Sequence, residues 1–207
     1  MIEKNDRKKV TEEYFDSQAE FYDTSHDGKF VKCMYKEIVK RVMSLPGEKI
    51  LDLGCGNGNI ISLLKDKRKG AYYGADISAK MIQEAKKRLG PDVELKAADV
   101  VNLPYESEIF DIIICNASFH HYTEPDKAVE EMKRVLKKGG VLILGDPTLP
   151  GALMIKIINS RLKDSNSGDY RIYGKKEIIP LFQAHDFFVT QWKRINYRTF
   201  LFNAAKR

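Results

Sequence analysis

The residues best suited to chemistry lie in a glycine-rich stretch that follows a short apolar run at residues 49–53. An acid and three glycines occupy alternate positions there: Asp52, Gly54, Gly56 and Gly58. Glycines at the end of a strand let the backbone approach a ligand without interference from a Cβ atom. In an open α/β sheet, ligands bind outside the carboxyl ends of the strands. The pattern therefore indicates a ligand-binding turn.

The spacing of these glycines disfavours a nicotinamide dinucleotide. The dinucleotide fingerprint is G-x-G-x-x-G, and counted from Gly54 its third glycine would fall on Asn59. The acid at Asp52 would repel a pyrophosphate, whereas it would help to hold a cationic group such as the ammonium of an amino acid. We therefore expect a different ligand, one that carries a positive charge near Asp52.

Three more polar residues follow consecutive predicted strands. Asp76 can accept hydrogen bonds from two ribose hydroxyls. Asp99 can accept one from an adenine amino group while Val100 contacts the ring, and Asn116 ends the next strand beside the glycine turn. An isolated Asp most often caps a helix or a turn, but three polar groups at one edge of a sheet favour a nucleoside pocket.

Alternating strands and helices position these residues. Apolar periodicity predicts seven strands, at residues 49–53, 71–75, 93–97, 109–115, 141–144, 187–192 and 199–204. It predicts helices at residues 7–23, 27–44 and 175–185, one that begins at residue 59 and one around residues 81–89. A further helix is expected to be capped by Thr123 and to end at Gly139-Gly140. Residues 150–170 are expected to be irregular. This alternation predicts a doubly wound, mostly parallel sheet, and the short link between the last two strands makes that pair antiparallel.

Composition limits the classes that remain. The chain has 207 residues, of which 43% are hydrophobic and 31% charged, which suits one domain with one core. No apolar stretch approaches the about 20 residues of a membrane helix, and the charged N-terminus shows no apolar signal region. The three cysteines form no CxxC pair, which argues against disulfides and structural zinc. We expect a cytoplasmic protein with no membrane partner and no metal.

The surplus of positive charge lies in the last quarter of the chain. Residues 1–150 hold 24 basic and 25 acidic residues, whereas residues 151–207 hold 11 and 4, within a formal net charge of +6. A solvated basic face is the ordinary explanation. The alternative is a site for an anionic substrate or a nucleic-acid backbone, and the sequence leaves both open.

Further short motifs follow the glycine turn in a fixed order. They are residues 74–78 with Met81 and Ile82, Ala98 and Asp99 before Leu103 and Pro104, Phe110 with Asp111, His120 with His121, and residues 134–140. Together they cover about residues 49–146. In order and spacing the chain resembles the class I S-adenosylmethionine-dependent methyltransferases, in particular the small single-domain group that acts mostly on small molecules.

The resemblance implies a Rossmann-like sheet of seven strands, mostly parallel with one antiparallel C-terminal strand and helices on both faces. It implies S-adenosylmethionine as cofactor, with S-adenosylhomocysteine as product, bound by ten residues: Tyr22, Asp52, Gly54, Gly56, Asp76, Ile77, Met81, Asp99, Val100 and Asn116. Asp52 would lie near the ammonium, Asp76 would take the ribose hydroxyls and Asp99 the adenine amino group.

The resemblance also implies one methyltransferase domain over residues 1–207. A helical lid would span residues 1–45, the cofactor-binding core 46–146, and a substrate-side segment with the antiparallel strand pair 147–207. Within the lid, Tyr22 rather than Tyr14 is expected to cover the cofactor. The alternative is an aromatic residue that packs on the core.

Two histidines are candidates for acid–base chemistry. His120 and His121 follow the fourth predicted strand, at the mouth of the expected pocket. With an ordinary imidazole pKa of about 6.5, either could take a proton from an acceptor, and we favour His121. The alternative is a packed or capping histidine near Thr123.

The predicted function is SN2 transfer of a methyl group from the sulfonium to an acceptor, for which a small molecule is favoured and an anionic one would suit the basic quarter. One alternative is an RNA or protein methyltransferase whose partner contacts Lys175, Lys176, Lys193, Arg194 and Arg198. Another is a protein that binds the cofactor without turnover.

Overall fold

A computed structural model describes residues 4–162 and 165–207 of the chain; the first residues of the expected lid, and 163–164 of the expected substrate-side segment, lie outside the described residues. Seven strands form one sheet in the order β3-β2-β1-β4-β5-β7-β6. The strands are β1 (Lys49–Leu53), β2 (Ala71–Asp76), β3 (Glu94–Ala97), β4 (Phe110–Asn116), β5 (Leu136–Pro147), β6 (Phe187–Asn196) and β7 (Thr199–Lys206).

Helices cover both faces of this sheet and its carboxyl edge. They are α1 (Lys4–Gln18), α2 (His26–Ser44), α3 (Asn59–Lys65), α4 (Ala79–Leu89), α5 (Pro125–Val135), α6 (Ala152–Arg161) and α7 (Lys175–Ala184), with short 3-10 helices at Ala19–Thr24 and Phe119–His121. In α4, Ser78 caps the first turn by accepting from the backbone N–H of Met81, as its sequence position predicts.

The strand order reverses beside β1. β1 pairs in parallel with β2 on one side and with β4 on the other, so the carboxyl ends of these strands leave a crevice at the reversal. β7 pairs antiparallel with both β5 and β6. The predicted fold class is therefore confirmed, a mostly parallel sheet with one antiparallel C-terminal strand.

Burial of the central strand explains why its sequence is almost wholly apolar. Six of the seven residues of β4 are buried. On one face of the sheet, α2 packs Met34 and Ile38 into the core, and on the other face α5 and α7 pack Met132 and Phe182. A strand covered on both faces loses the polar alternation of a half-exposed one.

One expected irregular region contains a helix. The sequence predicts no regular structure over residues 150–170, and this is wrong because α6 occupies Ala152–Arg161. Its apolar residues Leu153, Met154 and Ile157 are exposed and Ile155 is buried. A helix without a one-sided apolar stripe does not produce the periodicity that predicts a helix.

Both predicted ends of the fifth helix are also wrong. Thr123 makes no cap; its Oγ1 is buried without a hydrogen-bond partner, and α5 begins instead at Pro125, whose fixed φ suits the first helical turn. The helix ends at Val135 rather than at Gly139-Gly140, because Leu136 already pairs with Phe110 as the start of β5.

Candidate active site

A cavity opens at the carboxyl ends of the central strands, with about 830 Å³ of empty space that includes space open to solvent. Nine of the ten residues predicted to bind the cofactor line it: Tyr22, Gly54, Gly56, Asp76, Ile77, Met81, Asp99, Val100 and Asn116. The tenth, Asp52, lines a small adjoining cavity that shares Tyr22, Gly54, Gly56 and Asn116 with the first. The topology thus gathers the whole predicted set.

The glycine turn shapes the floor of this cavity. Gly54 and Gly56 have φ angles of +66° and +52°, a region that glycine adopts without strain. A Cβ atom on Gly54 would lie 2.4 Å from the Cβ of Ser118, whereas one on Gly56 would meet only Tyr22 Cε1, at 3.9 Å. Gly54 therefore permits close packing, and Gly56 keeps open space beneath Tyr22.

Asp76 joins the second strand to the glycine turn. Its Oδ2 accepts from the N–H of Gly56 at 2.8 Å, and its Oδ1 accepts from the N–H of Ser78 at 2.9 Å. Burial raises the pKa of this carboxyl, although these backbone N–H groups oppose the rise. Each oxygen keeps a second lone pair, so the carboxylate can still accept from two hydroxyl groups in the cavity.

Two buried oxygens beside the small adjoining cavity lack donors. Among the residues that the structure describes, Asp52 Oδ1 and Asn116 Oδ1 have no hydrogen-bond partner. Burial, with the nearby charge of Asp76, raises the pKa of Asp52 well above its ordinary value. A buried polar atom without a partner is destabilising, and a cationic donor would satisfy both oxygens. This end of the site therefore fits the ammonium of S-adenosylmethionine.

The residues expected at the adenine end of the site include apolar side chains. Ile77, Met81 and Val100 all line the cavity. Asp99 accepts from the N–H of Val101 through Oδ1 and pairs with Lys8 through Oδ2, at 2.8 Å. Sequence reasoning missed Lys8, because nothing in a charged helix indicates which lysine reaches the sheet.

The N-terminal segment closes one side of the cavity. Tyr22 lies on the cavity wall with Phe15 and Thr11, whereas Tyr14 lies away from the cavity and donates to Asp27 Oδ2 at 2.8 Å. Burial raises the pKa of Tyr22 far above its ordinary value, so its hydroxyl stays neutral. The structure thus places Tyr22, and not Tyr14, where the predicted cover should be.

The two histidines occupy different positions. His121 lines the cavity, with its ring in edge contact with that of Phe15, centroids 5.2 Å apart. His120 is buried behind it, and its Nδ1 donates to Asp146 Oδ1 at 2.9 Å. Its Nε2 lies 3.4 Å from Asp169 Oδ1.

Their surroundings shift the two pKa values in opposite directions. Burial lowers the pKa of His120, but the Asp146 and Asp169 carboxylates outweigh it and raise the pKa to about 10. Burial and the charge of His120 lower the pKa of His121 to about 3. At neutral pH His120 therefore holds a proton and His121 is an uncharged imidazole.

Sequence reasoning missed both carboxylates beside His120. Asp146 lies near the end of β5, so the strand-end argument that selected Asp76 and Asn116 would have selected it as well. Asp169 lies in a loop that returns to the site from elsewhere in the chain, fixed by Arg7, which donates to its carbonyl oxygen at 2.9 Å. No local pattern indicates such a residue.

Comparison with known proteins agrees with this geometry. A family model described as a methyltransferase domain matches residues 44–197. An uncharacterized methyltransferase of Anoxybacillus flavithermus is 32% identical over 139 residues, which cover 64% of this chain and 65% of that protein. A demethylmenaquinone methyltransferase of Thermotoga maritima is 36% identical over 110 residues, covering 53% of this chain and 48% of that protein.

Solved structures share the fold at lower identity. The YcgJ protein of Bacillus subtilis superposes with a TM-score of 0.72 at 20% identity, covering 84% of this chain and 97% of that one. Phosphoethanolamine N-methyltransferase 2 of Haemonchus contortus, in complex with phosphomonomethylethanolamine and S-adenosylhomocysteine, has a TM-score of 0.72 at 16% identity, covering 84% and 52%.

The seven-stranded fold is that of the class I S-adenosylmethionine-dependent methyltransferases. The chain belongs to the methyltransferase-domain family. It spans 65% of the length of the Anoxybacillus relative and about half that of the Thermotoga one. Among the described residues, no helix is both long and apolar enough to cross a membrane.

Proposed function

We propose that the chain transfers a methyl group from S-adenosylmethionine to a small anionic molecule. The observation that carries the proposal is a second cavity beside the cofactor cavity, with about 1,990 Å³ of empty space that includes space open to solvent. Among the residues that the structure describes, six cationic side chains line it: Arg7, Lys156, Arg171, Lys175, Lys176 and Arg194. The only acid among these described lining residues is Glu177, which pairs with Arg171 at 2.6 Å.

The two cavities lie against each other at the carboxyl edge of the sheet. Consecutive residues of α1 face them, since Arg7 lines the basic cavity and Lys8 the cofactor cavity. The backbone N–H groups of Tyr170 and Arg171, on the wall of the basic cavity, donate to the carbonyl of His120, next to His121. An acceptor whose charged end binds among the cations would extend its other end past His121.

The shape of the cationic surface favours a small ligand over a nucleic acid. Lys175 lies over the ring of Trp192, 5.5 Å from its centroid, inside a concavity. Two other cations of the basic quarter are engaged elsewhere, Lys193 with Glu37 at 2.6 Å and Arg198 over the ring of Phe30. Cations that line one concavity suit a single anionic molecule better than an extended backbone. The fold also accommodates such acceptors, since the Haemonchus protein binds phosphomonomethylethanolamine.

The chain contributes alignment and exclusion of water. Bound S-adenosylmethionine supplies a methyl group that its sulfonium already activates. Asp76 would accept from the ribose hydroxyls, while Asp52 and Asn116 would hold the ammonium. Tyr22 and Phe15 would cover the reacting atoms. Holding two reactants in line lowers the activation barrier by about 7–11 kcal/mol in well-oriented systems.

Of the two histidines, we propose that His121 meets the acceptor. It lines the cofactor cavity, and its lowered pKa of about 3 keeps it uncharged at neutral pH. Such an imidazole can hydrogen-bond the acceptor through a ring nitrogen without adding charge to the site. His120, with a pKa raised to about 10, would position His121 and Asp169.

Transfer of labelled methyl groups tests the proposal. The chain is incubated with methyl-labelled S-adenosylmethionine and a fractionated cell extract, and the label is followed into small molecules, RNA and protein. We expect label in small molecules that an anion-exchange column retains. Label in RNA or protein, or in neutral metabolites, would contradict the anionic acceptor, and absence of transfer would favour a binding protein without turnover.

A charge-reversed variant tests the basic cavity itself. Lys175→Glu with Lys176→Glu should reduce transfer at subsaturating acceptor by about tenfold or more, since hydrogen bonds to charged groups contribute roughly 1.5–3 kcal/mol. Its affinity for S-adenosylhomocysteine should stay unchanged. Lys67→Glu with Lys69→Glu is the matched control, because it makes the same charge change at exposed positions remote from both cavities. Equal transfer by both double variants would contradict the role of the basic cavity.

A further inference from the structure

Four side chains at the boundary between the two cavities form what we call the histidine cluster: His120, His121, Asp146 and Asp169. His120, His121 and Asp169 each offer a nitrogen or oxygen atom within 4.8 Å of the other two. Asp169 Oδ1 lies 3.4 Å from His120 Nε2 and 3.5 Å from His121 Nδ1. Tetrahedral zinc, with bonds of about 2.0–2.2 Å to nitrogen and oxygen, separates its ligand atoms by about 3.4 Å.

Asp146 prepares His120 for such a role. The Nδ1 of His120 donates to Asp146 Oδ1, and this hydrogen bond directs the other ring nitrogen, Nε2, toward Asp169. Histidines that bind metals usually donate their second N–H to a carboxylate in this way. Asp146 itself is fully buried, so the orientation of the ring is fixed from inside the protein.

The cluster contains more acceptors than donors. Within the described part of the chain, His121 Nδ1 and Asp146 Oδ2 are buried without a hydrogen-bond partner, and the side chain of His121 is only 9% exposed. Among the side chains that the structure describes, neither Asp146 nor Asp169 pairs with a lysine or arginine. Arg7 approaches Asp169 through the backbone carbonyl and not through the carboxylate. A cation between these atoms would satisfy the unpartnered nitrogen and balance both carboxylates.

We propose that His120, His121 and Asp169 bind one divalent transition-metal ion, with Asp146 holding His120 in place. Two imidazoles and one carboxylate select ions of the zinc, iron, cobalt or manganese type rather than magnesium or calcium, which prefer oxygen ligands. The ion displaces the second ring proton of His120; two neutral imidazoles, two carboxylates and a divalent ion then give the cluster no net charge. None of the three cysteines belongs to this site.

The position of the site gives the ion a role in the proposed function. Three protein ligands leave coordination positions open to water or to a substrate. His121 lines the cofactor cavity, and Tyr170 and Arg171, bonded to the His120 carbonyl, line the basic cavity. An anionic oxygen of the acceptor would reach the ion from there. This step rests on the proposed function; binding of the ion does not.

Metal titration tests the site without any need for methyl transfer. The chain is stripped with a chelator, dialysed, and titrated with Zn²⁺ by calorimetry and with Co²⁺ by visible absorption. We expect one ion per chain and a Co²⁺ spectrum of nitrogen and oxygen ligation. Asp169→Asn and His121→Gln should each weaken binding by at least tenfold. If no ion binds, the proposal is wrong, and the positive charge of protonated His120 alone offsets the negative charge of Asp146 and Asp169.

Two controls separate this site from adventitious binding. His185 also lies beside carboxylates, with Nε2 3.1 Å from Asp126 Oδ1, and Cys33 is an exposed thiol. His185→Gln and Cys33→Ser should bind the ion as the unaltered chain does. Loss of binding in either, or unchanged binding in Asp169→Asn, would place the ion elsewhere and overturn the proposal. Circular dichroism and thermal melting identify variants that fail to fold. Of Asp169→Asn and His121→Gln, we expect Asp169→Asn to disturb folding less, because Asp169 is a partly exposed loop residue.

Asp146→Asn supplies a graded result. It keeps all three ligands and removes the carboxylate behind His120, so binding should remain at one ion per chain and weaken by about 10–100-fold. Unchanged affinity in a folded variant would contradict the positioning role of Asp146. Because all these readouts concern the ion, a chain that binds it and transfers no methyl group would contradict the proposed function alone.

Discussion

The side-chain amide of Asn59 donates to Asp23 Oδ1 at 2.7 Å. Asn59 is the residue that stands where a dinucleotide-binding turn would have its third glycine. Asn57 donates to the same oxygen at 3.0 Å, and Arg88 pairs with Asp23 Oδ2 at 2.6 Å. The asparagine that replaces the third glycine therefore helps to attach the N-terminal segment over the glycine turn through Asp23. Tyr22 is the residue next to this attachment.

The first prediction concerns this fastening and its dependence on pH. Although burial opposes it, hydrogen bonds from Asn59, Asn57 and Arg88 lower the pKa of Asp23 to about 2, from about 3.9 for a free Asp. Because the folded pKa is lowered, the carboxylate stabilises the attachment above about pH 4, and this contribution is lost as the pH falls toward 2. Asp23→Asn should therefore speed amide exchange over residues 7–23 at pH 7.

The same comparison at low pH is the check. The difference in exchange between Asp23→Asn and the unaltered chain should shrink progressively below pH 4, because the stabilising effect of the carboxylate is lost as the pH falls from its ordinary pKa toward its lowered pKa of about 2. Asp66→Asn, at an exposed position, controls for loss of a surface charge. A difference that is the same at pH 3 and pH 7 would exclude the carboxylate as its source.

The second prediction concerns the ribose site. Asp76→Ala should weaken binding of S-adenosylmethionine by roughly 1–3 kcal/mol, the range for hydrogen bonds of this kind. Calorimetry measures the affinity, and Asp92→Ala, at an exposed position, is the control. Since Asp76 also accepts from Gly56 and Ser78, thermal melting must show that the variant is folded at the titration temperature. Unchanged affinity in a folded variant would remove Asp76 from the site.

The third prediction separates two glycines that the sequence presents as equivalent. Gly54→Ala should lower the melting temperature strongly, because its Cβ would lie 2.4 Å from that of Ser118. Gly56→Val, whose Cβ points into open space below Tyr22, should abolish cofactor binding with a smaller loss of stability. Both positions have positive φ, so both variants carry some strain. The reverse order of melting temperatures would contradict this assignment.

The strand-end residues of the site follow from the sequence, because two local rules place them. Alternating apolar runs locate the strands, and parallel strands end at one edge, so Asp52, Asp76, Asp99 and Asn116 meet there. The rest depends on contacts between distant parts of the chain. Lys8, 91 positions from Asp99, reaches the site on a helix of weak amphipathicity. Asp169 lies on a loop. No periodic apolar pattern in the sequence marks the position of Lys8 or of Asp169.

The fourth prediction concerns nucleic acid. If an RNA backbone were the partner, affinity would fall steeply with salt as counterions are released. We expect no salt-dependent RNA binding in dilute buffer, because Lys193 and Arg198 are engaged with Glu37 and Phe30. Fluorescence anisotropy of a labelled RNA measures this. Binding that weakens with salt, and that Lys193→Glu with Arg198→Glu removes while cofactor affinity is kept, would favour the nucleic-acid alternative.

The last prediction concerns the N-terminal lid. Helix α1 is highly charged, and its main contacts with the rest of the chain are polar: Arg7 donates to the Leu162 and Asp169 carbonyls, and Thr11 to that of Gly168. Phe15 of α1 and Tyr22 of the 3-10 helix that follows it are the aromatic residues of this segment that line the cofactor cavity. A segment held by few apolar contacts opens more readily than the core.

Because the ligand would lie beneath Phe15 and Tyr22, binding should favour the closed segment, and the closed segment should in turn favour binding. We therefore expect amides 7–23 to exchange faster without S-adenosylhomocysteine than with it, while amides of β4 exchange slowly in both states. Deleting residues 1–23 should leave a folded domain that binds the cofactor more weakly and loses more transfer activity than affinity, because water then enters the site. Strong and equal protection of residues 7–23 in both states would show that α1 is a fixed part of the fold.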